Sequence, residues 1–138
     1  MHLGEIMAGV DWLAVLAATA IAFMLGAAWY SRALFGNIWL RDVGLTEEAV
    51  AGANMARTLG GAFVLQFIAA IAVSAFLGEG STWLEGLHVG LLIGLFWVAT
   101  AYGVTYLFEQ RPIRLWMINA GYYVVWYALI GTIIGIFE

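Results

Sequence analysis

Apolar residues cover every helical face of four long stretches in this sequence, residues 12–31, 58–78, 84–108 and 115–137, and clusters of polar or turn-forming residues separate them. Glu85 sits at the edge of the third stretch, and no arginine or carboxylate lies deeper in any of the four. At about 1.5 Å rise per residue, such lengths match a hydrocarbon core of roughly 30 Å. A membrane strand would instead alternate apolar and polar positions over about ten residues. The pattern therefore predicts an all-α, polytopic membrane protein: a four-helix transmembrane bundle in a single domain, residues 1–138. Glu5 and Asp11 precede the first stretch without a positive residue, so it reads as a retained span and not as a signal peptide.

The connection 32–57 is the only long one. Thr46 followed by Glu47 and Glu48 predicts a capped helix start there, leading into span two. Upstream, Leu34 to Leu40 is apolar and aromatic with Arg41 beside it, which predicts a short amphipathic segment lying in the headgroup region. Pro112, the one proline, falls between spans three and four, where it ends one helix and starts the next.

Charge then sets orientation. Arg32, Arg41 and Arg57 lie between spans one and two, Arg111 and Arg114 lie between spans three and four, and the opposite side has no arginine or lysine. Arginine-rich loops stay cytoplasmic, so these five residues act as topology anchors and both termini are expected outside, in the periplasm of a bacterial inner membrane.

Composition narrows the chemistry. With 64% hydrophobic and 10% charged residues and a mean hydropathy of +0.96, the lipid bilayer is the chain's main partner. A net charge of −4 without a basic run excludes nucleic acid. The absence of cysteine removes thiolate metal sites and cysteine nucleophiles. No spacing suggests a catalytic triad, and no ionisable group sits at mid-membrane to couple transport to protons or sodium. The chain is expected to be no enzyme and to carry no cofactor.

Helix association in lipid relies on small residues and interhelical hydrogen bonds. Gly86, Gly90 and Gly94 on span three, and Gly131 and Gly135 on span four, form ridges for packing within the chain or between copies. Counting from the arginine side, Gln66, Thr100 and Tyr123 share one depth, with Asn119 one turn shallower. These residues are expected to form an interhelical polar cluster or, alternatively, to line a ligand pocket. His88, with Glu85 three residues earlier and His2 near the N-terminus, is a weaker candidate for metal or pigment binding.

Trp29, Tyr30, Ser31, Leu34, Phe35, Gly36 and Trp39, then Gly44, Leu45, Thr46, Glu47 and Glu48, form a recognisable series, continued by Arg111, Pro112, Asn119, Ala120, Gly121 and Tyr122. On these residues the chain resembles, over nearly its full length, the bacterial membrane-protein family designated domain of unknown function 1761. The resemblance implies a compact multi-span protein and brings no reaction, ligand or catalytic residue. Function is therefore expected to be non-catalytic: a scaffold or accessory subunit packing in a homo-oligomer or with other membrane-protein subunits. The alternatives are an oligomeric channel or carrier for a neutral or lipid-like solute, and a metal- or pigment-binding protein using His88.

Overall fold

The computed structural model describes residues 2–137. Its helices are α1 (Leu3–Ala8), α2 (Trp12–Trp29), α3 (Gly36–Val43), α4 (Glu47–Ala51), α5 (Met55–Leu77), α6 (Trp83–Ile93), α7 (Thr100–Glu109) and α8 (Ile113–Phe137). A π-helical turn, Gly94–Ala99, joins α6 to α7 into one continuous rod. Four segments, α2, α5, the α6–α7 rod and α8, are long and apolar enough to cross a membrane. The described residues contain no strand, and the fold is all-α and multi-pass.

Side-chain caps set the helix starts. Asp11 Oδ1 accepts from the Ala14 amide at 3.0 Å, Asn54 Oδ1 from the Arg57 amide at 3.1 Å, and Thr82 Oγ1 from the Glu85 amide at 3.2 Å. Near a bilayer these amides have few other acceptors, so a capping oxygen decides where a span begins. Thr46 caps α4 in the expected way, accepting from the Ala49 amide at 3.0 Å. Contrary to expectation, α4 does not lead into span two. It stops at Ala51, and Asn54 starts α5 afresh. Hydropathy also gave no sign of α1, which is too short to register as a span.

α8 is the hub, packing against α2, α3, α5 and the whole α6–α7 rod. The closest approach is to α6, where backbones touch. A Cβ built on Gly86 would run into the Gly131 carbonyl, one on Gly131 into the Gly86 carbonyl, and one on Gly90 into the Tyr127 carbonyl. On Gly94 it would sit 2.7 Å from Val124 Cα, and on Gly135 it would meet the backbone of Thr82 and Trp83. All five glycines of the two ridges are therefore occupied inside the chain.

The opposite faces of α8 meet α2 and α5. Ala18 and Ala22 of α2, Ala70 and Val73 of α5, and Trp126, Ile130 and Ile134 of α8 form the core, in the half of the bundle nearer the chain termini. Ser74 Oγ accepts from the Asp11 amide at 3.2 Å and ties the start of α2 to the end of α5. In that half α5 also meets α6, to which the short loop 78–82 connects it. Toward the arginine end α5 makes no comparable contact with α7, and Met55 to Gly61 are all exposed. The bundle is closed at one end and parted at the other.

Candidate functional site

The parting leaves a cleft of about 1150 Å³ at the arginine end, between α2, α5 and α8 and beneath α3 and α4. Its walls are apolar, including Phe23 and Ala27 of α2, Leu40 of α3, Val50 of α4, and Leu59 and Ala62 of α5. Its deepest lining residues are Phe23, Gln66, Tyr122 and Tyr123. Gln66 lies eleven residues beyond Met55, about 16 Å along the helix axis and midway along α5. At the mouth, Arg32 and Glu47 pair at 2.6 Å, so the two charges in the lining cancel.

Polar side chains floor this apolar space. Gln66 Nε2 donates to the Tyr122 hydroxyl at 2.9 Å. One turn nearer the arginine end, the Tyr30 hydroxyl donates to Asn119 Oδ1 at 2.7 Å, and Asn119 Nδ2 donates to the Tyr106 hydroxyl at 2.7 Å. Asn119 thus joins α7 and α8 to the residue that ends α2. Tyr102 stacks on Tyr123 with ring centroids 5.6 Å apart, and Tyr122 meets Tyr30 edge-on at 5.3 Å. Gly26 makes the arrangement possible, because a Cβ there would stand 3.0 Å from the Tyr122 oxygen.

Two buried polar side-chain atoms are left over, Trp126 Nε1 in the packed core and one beside the cleft. Gln66 Oε1 is enclosed and has no hydrogen-bond partner among the described residues. An unpaired buried acceptor costs roughly 1–3 kcal/mol.

The turn after α2 brings Tyr30 to this place. The Phe35 amide donates to the Trp29 carbonyl at 3.0 Å and the Gly36 amide to the Ser31 carbonyl at 2.9 Å, reversing the chain within one turn. A Cβ on Gly36 would strike the Tyr30 carbonyl, so this position requires glycine. Trp29 packs on Phe35, and Trp39 meets Tyr30 edge-on at 5.7 Å. The run from Trp29 to Trp39 therefore shapes one wall of the cleft.

Residues 13–135 match the family described as Protein of unknown function (DUF1761). The chain belongs to this family. No curated protein and no solved structure matches the chain. Within this DUF1761 member the aromatic turn, Asn119 and Tyr122, which carried the resemblance, converge on the cleft, whereas Arg111 and Arg114 serve its frame. Asp42 of α3 receives two hydrogen bonds from Arg114, at 2.9 and 2.5 Å, and its side chain is only 4% exposed. The Arg114 bond holds the Asp42 carboxyl below its ordinary range, against the opposing effect of burial. This ion pair fastens α3 to the start of α8. Arg41 lies in the last turn of α3 and Arg57 in the first turn of α5, so all five arginines gather at one end.

Other expected residues fall elsewhere. Thr100 lies outside the polar cluster: its hydroxyl donates to the Phe96 carbonyl at 2.7 Å, and also reaches the Trp97 carbonyl, on its own rod. Thr100 lies on an exposed face of the rod, and its hydroxyl bonds back to its own helix as those of Thr19 and Thr132 do. Trp116 Nε1 serves the π-helical turn, donating to the Ala99 carbonyl at 2.9 Å. The partner of Gln66 is Tyr122, not Tyr123, which takes part through ring stacking. His88 Nδ1 pairs with the Leu84 carbonyl at 2.8 Å, one turn back. Among the described residues no three His, Cys, Asp or Glu side chains converge, and His88, Glu85 and His2 form no such group.

Counting depth from the sequence missed Tyr30, Tyr106 and Tyr122. Tyr30 and Tyr122 stood in the sequence only among the residues that carry the family resemblance.

Proposed function

We propose that this DUF1761 protein is a non-catalytic protein of the bacterial cytoplasmic membrane that holds or carries a neutral, lipid-like solute in the cleft at its arginine end. The observation that carries this reading is the pairing of apolar walls with an uncharged polar floor at the level of the middle of α5. Ligand sites are typically apolar spaces of this size with a few placed polar groups. The gap between α5 and α7 gives a lateral way in from the bilayer. The expected role as a scaffold in a homo-oligomer or a larger membrane complex has less support, because the glycine ridges that favoured it are filled within the chain.

Purification in mild detergent followed by native mass spectrometry tests the reading. The wild-type chain is expected to retain an uncharged lipid-like adduct, and Ala62→Trp, which fills the cleft from α5, is expected to lose it. Identical adducts on both proteins would overturn the proposal.

The charge asymmetry of the loops supports an arginine end in the cytoplasm and both termini in the periplasm. The chain has no cysteine, so single cysteines report topology cleanly. Glu79→Cys should react with an impermeant thiol reagent in intact spheroplasts, and Glu48→Cys should react only after lysis. The reverse pattern would invert the orientation.

A further inference from the structure

The cleft's deepest polar pair restricts what kind of head group it can take. Gln66 Nε2 donates to the Tyr122 hydroxyl, which has that amide as its only polar partner among the described residues. The Tyr122 proton is then without an acceptor, and Gln66 Oε1 is without a donor. Turning the amide over reverses the roles: Tyr122 donates to Oε1, and Nε2 is left free beside a free phenol lone pair. In either orientation the pair leaves at least one donor and one acceptor side by side. The lining adds no net charge to this, since Arg32 and Glu47 neutralise each other at the far mouth.

Accepting the cleft as a site for a lipid-like solute, we propose that it selects an uncharged amphiphile whose polar end both donates and accepts a hydrogen bond, a hydroxyl-bearing lipid, and that Gln66 and Tyr122 bind that hydroxyl midway along α5. A hydroxyl matches both unused valences at once, reaching the enclosed Gln66 Oε1 when the side chain turns toward the cleft. An ether or ester oxygen satisfies only the donor. A carboxylate, phosphate or ammonium group would have to leave its charge in an apolar space with no counter-ion beside it. The hydrocarbon portion of such a lipid lies against Phe23, Leu59 and Ala62 and continues through the gap between α5 and α7.

The test uses the full-length protein in mild detergent, freed of copurifying lipid, and a probe series on one long alkyl chain: the primary alcohol, its methyl ether, the carboxylate and the trimethylammonium salt. Quenching of intrinsic tryptophan fluorescence by brominated versions reads the affinities. The alcohol is expected to bind about tenfold or more tightly than the ether, with the two charged probes weaker still. Gln66→Leu should bring the alcohol down to the level of the ether while leaving the ether unchanged. If the alcohol and the ether bind wild type equally, or a charged probe binds best, head-group selection by this pair is wrong while the cleft remains a lipid site. If no probe binds wild type, or Ala62→Trp leaves alcohol binding intact, the cleft reading itself fails and this inference with it. The comparison on wild type stands even if Gln66→Leu does not fold.

Discussion

The two halves of this bundle solve the same problem in opposite ways. In the half nearer the termini, backbone lies directly on backbone: Gly86 against Gly131, Gly90 against Tyr127, and Ala18, Ala22 and Ala70 around Trp126. In the arginine half, α5 stands away from α7 and the space is bordered by tyrosines joined through Asn119 and Gln66. Lipid offers helices no hydrophobic reason to associate, so close packing must hold one half, leaving the other free to depart from it. Rigidity at one end is what permits a cleft at the other.

Substitutions should separate the halves, and the largest effect belongs to the packed one. Gly131→Val places side-chain atoms on the Gly86 carbonyl, where only backbone movement gives relief, and is expected to abolish the folded state; a thermal melt in detergent within a few degrees of wild type would contradict the packing. Asn119→Ala comes next. It strips partners from the Tyr30 and Tyr106 hydroxyls and should lower stability by about 1–2 kcal/mol, in keeping with interhelical hydrogen bonds in membranes. A loss as large as that of Gly131→Val would mean that the arginine half is no looser than the other.

Acid should produce a smaller change, confined to the arginine end. The folded-state pKa of Asp42 lies below its ordinary value, so its contribution is complete above about pH 4 and is lost as pH falls through the lowered folded value. Melting points taken down to about pH 2 should fall less for Asp42→Asn than for wild type, by an amount typical of ion pairs near the surface. Parallel curves would remove the Arg114 pairing as a fastening of α3. The smallest stability effect is expected for Gln66→Leu, a loss of up to about 1 kcal/mol, because removing one unpaired acceptor offsets part of the cost of leaving the Tyr122 hydroxyl without its amide. A destabilisation of several kcal/mol would show that Gln66 serves packing and not a ligand.

How much of this was readable in the sequence depends on the kind of information each feature needs. The spans were legible to within about three residues, because hydropathy responds to bilayer thickness and the ends are set by recognisable caps such as Asp11 and Asn54. Of the residues counted to a common depth, Gln66 and Tyr123 line the cleft, with Asn119 beside them, and Thr100 does not. Rotation about the helix axis was not legible. Tyr122 and Tyr123 differ by about 100° around α8, and only the packing of α2 and α7 decides which ring meets Gln66 and which stacks on Tyr102. Thr100 was misjudged because depth does not say which face a residue occupies, and a threonine in a helix bonds a backbone carbonyl as readily as another helix. A pocket lined by these residues was one of two readings, but its extent was not legible, since it arises where α5 parts from α7.

The central position of α8 also has a consequence for how the protein is made. α8 follows the other three spans in the chain, so during synthesis α2, α5 and the α6–α7 rod enter the bilayer before the helix against which they all pack has been translated. Until then the glycine row of α6 faces acyl chains, and the tyrosines at the ends of α2 and α7 lack the Asn119 amide they share. A ribosome stalled before residue 113 would release three helices with no common partner, a form that membrane proteases should recognise and clear.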